Sequence, residues 1–273
     1  MPEIKPDPEL ETRELGPDPN YPYPNENMRR VCFIKNVITR PNIVVGDYTY
    51  YDDPAGAEDF EQHVTHHYEF YGDTLIIGKF CAIATGIQFI MNGANHQMKS
   101  VTTYPFSIMR HGWEKVTPTL ADLPFKGDTV VGNDVWIGQN VTVMPGIHIG
   151  DGAIIAANST VTRDIPAYHI AGGNPCRIIR PRFSAELIDY LLELQWWDWP
   201  AEKIFANLEI LTSGDLERVK TIEPHTGSTP GQDEVKAAQV TEIFESETKV
   251  WRNEEEFFAG IPEFKPKHDP SVN

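Results

Sequence analysis

Residues 131–161 read VGNDVWIGQNVTVMPGIHIGDGAIIAANSTV, and an apolar β-branched residue occupies every sixth position of this stretch. The recurring residues are Val131, Ile137, Val143, Ile149, Ile155 and Val161. A period of two predicts an ordinary strand, and a period of 3.6 predicts a helix. A period of six predicts a coil of short strands, each pointing one apolar side chain inward. The stretch therefore predicts a parallel β-helix of hexapeptide repeats, and the alternative is a β-meander whose spacing is coincidental.

The same phase continues upstream, where Ile77, Ile83 and Phe89 take the recurring position and Val45 marks an earlier coil. A coil needs neighbours about 4.8 Å above and below, because it cannot bury its own interior. Residues 90–127 do not fit the period, so we expect an insertion that protrudes from the β-helix. Its side chains predict an ordered segment packed against another surface, since many are apolar or aromatic: Tyr104, Phe106, Met109, Trp113 and Phe125.

Helical signals follow the repeats. Ser184 can cap a helix that carries leucines at helical spacing. Pro200 predicts the start of a second helix that runs to about Leu211. The predicted fold class is thus mainly β, with a protruding insertion and C-terminal α-helices. Helices at this place would cover the unpaired strand edges of the last coil.

The composition divides the chain into four parts. Residues 1–30 are rich in proline and predict an extended arm. Residues 31–183 hold the repeats and the insertion, and residues 184–211 hold the two helices. Residues 212–273 are acidic and predict a partly flexible tail, with a short helix near residues 234–244 and aromatic side chains that can dock on the body or on another subunit.

The bulk properties exclude several classes of function. A formal net charge of −17 argues against nucleic-acid binding, because acidic residues repel phosphates. Three scattered cysteines are too few for a disulfide framework, which predicts a reducing, cytoplasmic location. The sequence lacks a membrane-length apolar run, and its N-terminus does not resemble a signal peptide. The histidines at positions 63, 66 and 67 lack a familiar ligand spacing, so we expect no metal site.

His96 is the candidate for chemistry. It lies in the stretch MNGANH, residues 91–96, which leaves the repeats directly after Phe89 and enters the insertion. A histidine held between a rigid coil and a loop suits a general base, because neutral imidazole accepts a proton near physiological pH. The alternative is a structural or merely exposed histidine.

Longer strings then carry a resemblance to a known family. They are IMNGANH (90–96), TYPF (103–106), GWEK (112–115), LPFKGDTVVGNDVWIG (123–138), MPGIHIGDGAIIAANS (144–159), AGGNP (171–175) and WWDWP (196–200). From Phe33 to Leu211 the chain resembles the hexapeptide-repeat xenobiotic acetyltransferases. Within them it is most similar to the streptogramin A (virginiamycin) acetyltransferases, and the hexapeptide-type chloramphenicol acetyltransferases are close relatives. The proline-rich arm and the tail lie outside the resemblance.

The resemblance implies a left-handed β-helix and makes residues 31–183 a catalytic domain. It implies a homotrimer with three active sites at subunit interfaces, and an insertion that reaches an adjacent subunit. Acetyl-CoA would lie in the groove between neighbouring β-helices and donate its acetyl group to a small hydroxylated acceptor. No metal, membrane or nucleic acid is implied.

The resemblance also implies roles for particular residues. His96 matches the catalytic histidine, which would deprotonate the acceptor hydroxyl for direct transfer in a ternary complex. The acceptor pocket carries over to Tyr50, Tyr68, Pro118, Leu123 and Trp136, with Trp136 also near the thioester. The CoA site carries over to Ala157, Asn158, Ser159, Gly172, Gly173 and Arg180. The alternatives are core packing for Tyr50, a surface position for Trp136 and a solvated charge for Arg180.

Two positions depart from the family pattern near the acceptor. Thr117 stands where we expect a larger apolar residue, and His66 stands where an aromatic residue is familiar. These departures bear on the acceptor rather than on acetyl transfer. The resemblance implies O-acetylation of an antibiotic such as virginiamycin M1, and the two departures weaken this choice of acceptor more than they weaken acetyl transfer. The alternatives are the same chemistry on chloramphenicol, a sugar or an endogenous metabolite, and a solenoid binding protein without catalysis.

Overall fold

A computed structural model describes residues 15–222. In it, three sheets of short strands surround the apolar residues that recur at every sixth position. Sheet A has the order β1-β3-β6-β9-β12-β14-β15, sheet B the order β11-β8-β5-β2, and sheet C the order β13-β10-β7-β4. The strands are β1 (Val31–Phe33), β2 (Ile43–Val45), β3 (Tyr50–Asp52), β4 (Val64–Thr65), β5 (Leu75–Ile77), β6 (Ala82–Ala84), β7 (Gln88–Ile90), β8 (Thr129–Val131), β9 (Trp136–Ile137), β10 (Thr142–Val143), β11 (His148–Ile149), β12 (Ile154–Ile155), β13 (Thr160–Val161), β14 (His169–Gly172) and β15 (Arg177–Pro181).

The register of these strands follows the period of six. Each coil of the main repeat visits sheets B, A and C in turn, so residues three hexads apart pair side by side. Ile137 pairs with Ile155, and Val143 pairs with Val161, both in parallel. The predicted parallel arrangement of hexapeptide coils is therefore confirmed.

The upstream repeats join the same stack. Ile77 pairs with Val131 although the insertion separates the two residues in sequence. Ile83 pairs with Ile137 in the same way. Val45 pairs with Ile77, which confirms the earlier coil. The insertion leaves the stack between β7 and β8, so it emerges from the corner between sheets C and B.

The period predicted one inward side chain per strand, and each of the strands β9 to β13 buries one residue. A second residue of each repeat, outside the strand, is also buried and was not predicted. This second set comes two positions before the first, at the corner that precedes each strand, and it comprises Val135, Val141, Ile147, Ala153 and Ser159. The corner turns sharply enough to direct its own side chain into the coil, so each repeat contributes two residues to the core.

Glycines stack at one corner of the coils. A Cβ atom on Gly78 would lie 2.6 Å from the carbonyl oxygen of Gly132, and one on Gly132 would lie 2.7 Å from the backbone nitrogen of Asp151. Real Cβ atoms do not approach other atoms so closely. Glycine therefore lets successive coils approach each other at this corner.

Three helices follow the β-helix: α1 (Ala185–Leu194), α2 (Ala201–Leu211) and α3 (Leu216–Val219). The Ser184 side chain accepts a hydrogen bond from the backbone N–H of Leu187, as the capping signal predicts. The helices and the Trp197 and Trp199 side chains form a second core against Tyr168. Within residues 15–222 these helices are all too short to cross a membrane.

Both edges of sheet A are antiparallel. Strand β1 pairs with β3 at one edge, and β15 pairs with β14 at the other. Helix α3 lies within the range that was predicted as tail. The predicted helix near residues 234–244 and the aromatic residues beyond it lie outside the described residues.

Candidate active site

His96 follows the turn by which the chain leaves β7. A 3-10 turn spans Asn92–Ala94, and the His96 side chain is exposed two residues later. Its Nδ1 atom lies 2.7 Å from the carbonyl oxygen of Thr103. A carbonyl oxygen only accepts, so Nδ1 carries the hydrogen and the Nε2 lone pair is left free. This tautomer is the one that can accept a proton through Nε2.

Tyr68 lies against the same turn. The backbone N–H of Gly93 donates to the carbonyl oxygen of His66 across 3.1 Å. A Cβ atom on Gly93 would lie 2.5 Å from the Tyr68 ring, so the ring and the turn are in close contact. Tyr68 is 46% exposed, which leaves much of its ring available to a ligand. Glycine at position 93 allows this approach.

Two of the predicted pocket residues, Leu123 and Pro118, belong to the insertion. Leu123 comes directly before Pro124, whose carbonyl oxygen accepts a hydrogen bond of 2.8 Å from the Asn95 side chain. Leu123 therefore adjoins a residue that is bonded to Asn95, the residue before His96. Pro118 is half-buried after the 3-10 turn Trp113–Val116.

The insertion presents an apolar surface. It contains the 3-10 turns Phe106–Met109, Trp113–Val116 and Leu120–Asp122. The sequence predicted that its apolar side chains pack on another surface, but within the described chain many remain exposed: Met98, Val101, Ile108, Trp113, Val116, Leu120 and Phe125. Apolar exposure on this scale is typical of a surface that contacts another molecule.

Tyr50 and Trp136 lie on the outer side of sheet A. Tyr50 pairs with Ala82, and Ala82 pairs with Trp136, so one small residue separates the two aromatic positions. Trp136 is 55% exposed, and its neighbour Ile137 is buried. Tyr51, not Tyr50, occupies the core.

Within one chain, the His96 turn lies on a different side of the β-helix from Tyr50 and Trp136. The His96 turn emerges at the corner between sheets C and B, whereas the outer face of sheet A carries Tyr50 and Trp136. In a coil of three sheets, that corner lies opposite sheet A. The predicted acceptor residues are therefore not gathered into one site within the described part of a single chain.

The predicted CoA residues lie at the corner between sheets A and C. Ala157 and Asn158 are exposed there, and the Gly173 backbone of the next coil donates to the Ser159 hydroxyl across 3.0 Å. The Ser159 hydroxyl itself donates to the carbonyl oxygen of Ala156 across 2.6 Å. Because the Ser159 side chain is buried and fully used inside the coil, any contact with a ligand would involve its backbone.

Gly172 and Arg180 complete this group. A Cβ atom on Gly172 would lie 2.9 Å from the Ala156 Cβ atom, so glycine keeps the corner flat. Arg180 lies on β15 opposite Ile170, at the end of sheet A, and its side chain is exposed. Its guanidinium donates to the carbonyl oxygen of Pro181 and has donors left for an anion.

The neighbouring histidines do not converge. His63 lies 3.1 Å from the Tyr51 hydroxyl, while His67 contacts the Asn42 amide at 2.8 Å, and His66 is exposed. Within residues 15–222, His, Cys, Asp and Glu side chains form no group of three that could hold a metal ion. The cysteines Cys32, Cys81 and Cys176 are buried and free. Burial raises the pKa of the Cys81 thiol to about 12, so this thiol is unreactive.

Sequence reasoning missed three groups near His96. The Thr103 carbonyl that orients the imidazole is a main-chain atom and leaves no signal in the sequence. Asp73 and Asn92 are buried polar residues that bond to each other beside the turn. Asn92 lies within the MNGANH string, and an asparagine before glycine is a turn signal. The contact with Asp73 spans 19 residues and could not be predicted from that string.

Comparison with known proteins agrees with this fold. Residues 128–163 match the family model "Bacterial transferase hexapeptide (six repeats)". The chain is 54% identical over 205 residues to virginiamycin A acetyltransferase of Staphylococcus aureus, which covers 75% of this chain and 93% of that protein. It is 65% identical over 162 residues to a probable macrolide acetyltransferase of Lysinibacillus sphaericus, covering 59% of this chain and 90% of that protein. It is 43% identical over 181 residues to chloramphenicol acetyltransferase of Agrobacterium fabrum, covering 66% of this chain and 86% of that protein.

The repeats and the family model define a hexapeptide-repeat transferase. Identity above 40% over most of the length of each acetyltransferase narrows the class further. The chain belongs to the hexapeptide-repeat xenobiotic acetyltransferases, and it is therefore an acyltransferase.

Proposed function

We propose that this protein is an acetyl-CoA-dependent O-acetyltransferase that modifies a hydroxyl group of an antibiotic such as streptogramin A. The observation that carries the proposal is the state of His96 in a chain of this family. Its Nδ1–H is committed to the Thr103 carbonyl, so Nε2 is available as a base. The identity to virginiamycin A acetyltransferase supports the choice of acceptor.

His96 acts as the general base in this proposal. Nε2 takes the proton of the acceptor hydroxyl, and the acceptor oxygen attacks the thioester carbonyl carbon. The C–S bond then breaks, the acetyl group stays on the acceptor, and the proton passes from His96 to the leaving thiolate. Backbone N–H groups of the coil would stabilise the tetrahedral oxyanion. The Thr103 carbonyl supports this role because it also accepts from the imidazolium that forms.

The active site in this proposal is shared between subunits of a homotrimer of left-handed β-helices. Sheet A of one subunit would supply Tyr50 and Trp136 to the His96 turn of a neighbour. The separation of these groups within one chain and the exposed apolar surface of the insertion both support such an assembly. Residues 31–183 then form the catalytic domain, between the arm (1–30) and the helices (184–211) that precede the tail (212–273).

Acetyl-CoA is proposed to lie along the corner between sheets A and C. Exposed Ala157 and Asn158 and the flat Gly172–Gly173 corner leave the backbone open to an extended ligand. Arg180 at the end of sheet A could pair with a CoA phosphate, since a guanidinium binds phosphate well. The thioester end would then approach Trp136.

The choice of acceptor depends on the residues that line the proposed pocket. His66 and Thr117 differ from the family pattern near the pocket, and the most identical of the three relatives is named a macrolide acetyltransferase. Chloramphenicol, a sugar or an endogenous metabolite remain alternative acceptors. A largely apolar pocket of Tyr50, Tyr68 and Trp136 favours a large apolar antibiotic over a sugar.

Thiol release from acetyl-CoA tests the proposal. The purified full chain is assayed with virginiamycin M1, a macrolide, chloramphenicol and simple sugars, with acetylated product identified by mass. Transfer to virginiamycin M1 supports the proposal. Transfer only to another acceptor replaces the substrate and keeps the chemistry. Acetyl-CoA binding without transfer to any acceptor favours a binding protein.

A further inference from the structure

The two ends of the insertion meet at one buried amide, that of Asn92. Its Nδ2 atom donates to the Asp73 carboxylate across 2.8 Å and to the Gly127 carbonyl oxygen across 2.8 Å. Its Oδ1 atom accepts from the backbone N–H of Lys126 across 2.7 Å. Asn92 starts the insertion, and Lys126 and Gly127 end it. One side chain therefore closes the neck of the loop that carries His96.

Asp73 holds this amide from below. Its side chain is completely buried, and its Oδ2 atom accepts from both the backbone N–H and the side-chain amide of Asn92, at 2.9 and 2.8 Å. Within the described chain its Oδ1 atom has no hydrogen-bond partner, and the imidazole of His67 lies 4.0 Å away. Burying a carboxylate is costly unless it is well paired. The carboxylate accepts both of these hydrogen bonds from Asn92, in the turn that leads to His96.

A second bond lies one residue before His96. The Asn95 side chain donates to the Pro124 carbonyl oxygen across 2.8 Å, again joining the two ends of the insertion. On the other side, the Gly93 backbone is bonded to His66 and pressed against Tyr68. The backbone that enters His96 is thus fixed from three directions.

We propose that Asp73, Asn92 and Asn95, which we call the neck clamp, are positioning residues for His96. The clamp sets the direction in which His96 Nε2 points, and it does so without touching substrate. This inference rests on the proposed function. Positioning matters for catalysis because a displacement of about 1 Å can cost about a hundredfold in rate.

The sharpest variant is Asn92→Asp. It keeps the shape of the side chain, but it places a carboxylate against Asp73 and removes the donor to Gly127. We expect kcat to fall tenfold to a hundredfold, while the KM for acetyl-CoA stays within about twofold, since the proposed CoA residues lie at a different corner, between sheets A and C. Asp73→Asn keeps an acceptor oxygen for Asn92 and is expected to retain kcat within about fivefold.

Asn36→Asp is the matched control. The Asn36 amide is half-buried and donates to the carbonyl oxygens of Pro19 and Phe33 near the N-terminal arm. Asn36→Asp removes two hydrogen bonds donated by the side-chain amide, as Asn92→Asp does, but Asn36 lies outside the neck of the insertion. We expect its kcat to equal that of the wild type at a temperature where both proteins are folded.

Amide hydrogen exchange provides a readout independent of activity. Residues 93–104 are expected to exchange faster in Asn92→Asp than in the wild type, and in Asn36→Asp they should exchange as in the wild type. If Asn92→Asp does not fold, the same two measurements are made on Asn95→Asp, which removes the donor to the Pro124 carbonyl oxygen and to Asn92 Oδ1.

A folded Asn92→Asp or Asn95→Asp variant with unchanged kcat would show that the neck clamp does not position His96 for catalysis. If the wild type transfers acetyl to no acceptor, the proposed function fails on its own. Hydrogen exchange then decides whether the neck clamp orders residues 93–104. Exchange in Asn92→Asp equal to that of the wild type would overturn the proposal that it does.

Discussion

His96 Nδ1 donates to the carbonyl oxygen of Thr103, and the residues between them form a small closed loop. The Ser100 hydroxyl lies 2.7 Å from the Gln97 carbonyl oxygen and 2.6 Å from that of Thr102, inside this loop. The loop therefore has hydrogen bonds of its own, in addition to those of the neck clamp that precedes it. It fixes the imidazole tautomer with main-chain atoms, which side-chain substitution cannot remove.

His96→Ala is expected to lower kcat about a hundredfold to ten-thousandfold, the usual contribution of a general base. The affinity for acetyl-CoA should not change, because the residues that we propose for CoA binding lie at the corner between sheets A and C. Thiol release and isothermal titration with CoA measure the two quantities. His111→Asn, at an exposed position of the same insertion, is the control and should be fully active. Comparable kcat in His96→Ala and wild type would eliminate the proposed mechanism.

If the active site is shared between subunits as we propose, two inactive variants should complement each other. His96→Ala and Trp136→Ala are each expected to lose most activity. When the two chains are co-expressed with different tags, random mixing in a cyclic trimer should restore about one quarter of the sites. These are the sites that receive an intact His96 from one subunit and an intact Trp136 from the next. Mixed oligomers as inactive as the parent variants would place both residues in the same subunit's site.

The glycine corner predicts a large stability difference between two similar substitutions. Gly78→Ala places a Cβ atom 2.6 Å from the Gly132 carbonyl oxygen and must push neighbouring coils apart. We expect the free energy of unfolding to fall by about 1–3 kcal/mol, the usual cost of overpacking. Gly214→Ala is the control, because a Cβ atom there meets nothing within 4 Å. Thermal melts of the two variants measure the difference, and equal melting temperatures would contradict the close approach of the coils.

The partly buried carboxyl of Asp134 is expected to make the free energy of unfolding depend on pH. Burial raises the pKa of its carboxyl to about 6, and the Arg182 guanidinium at 3.9 Å offsets this only in part. Because the folded protein binds this proton more readily than the unfolded chain, stability falls as the pH rises from about 4 to about 6. Above this range the cost of the buried charge stays constant.

Asp134→Asn removes that cost. The side chain is 31% exposed, so we expect a gain of only about 1 kcal/mol at pH 7, which vanishes near pH 4. Asparagine also suits the positive φ of 55° at this position. Melting temperatures across this pH range check the prediction, with Asp189→Asn on the surface of α1 as the control. A variant that is less stable than the wild type at pH 7 would refute it.

The repeats could be predicted because they depend on local spacing. Ile137 and Ile155 align since the coil has a fixed length, and the same rule located Ile77 beyond the insertion. The second interior set, such as Val141 and Ala153, was also present as a period of six but was not recognised. Its members include alanine and serine, whose small side chains give a weak apolar signal.

The site was predicted less completely, for a physical reason. His96 was found because it stands where the repeat ends, and the family resemblance supplied its role. The Thr103 carbonyl has no side-chain signature, and the contact between Asp73 and Asn92 arises only when the corner of one coil meets the neck of the insertion. Such contacts depend on how the coils stack, which the sequence of either segment alone does not specify.

Antiparallel strands β1 and β15 at the two edges of sheet A limit how this architecture can grow. A strand of another molecule that ran in the direction of the coils would therefore meet, at either edge of sheet A, a strand that runs the opposite way. In sheet A, a further coil has parallel neighbours on both sides only when it is inserted between these two edges. Lengthening of such a protein would therefore proceed by internal duplication of whole coils, with both termini preserved.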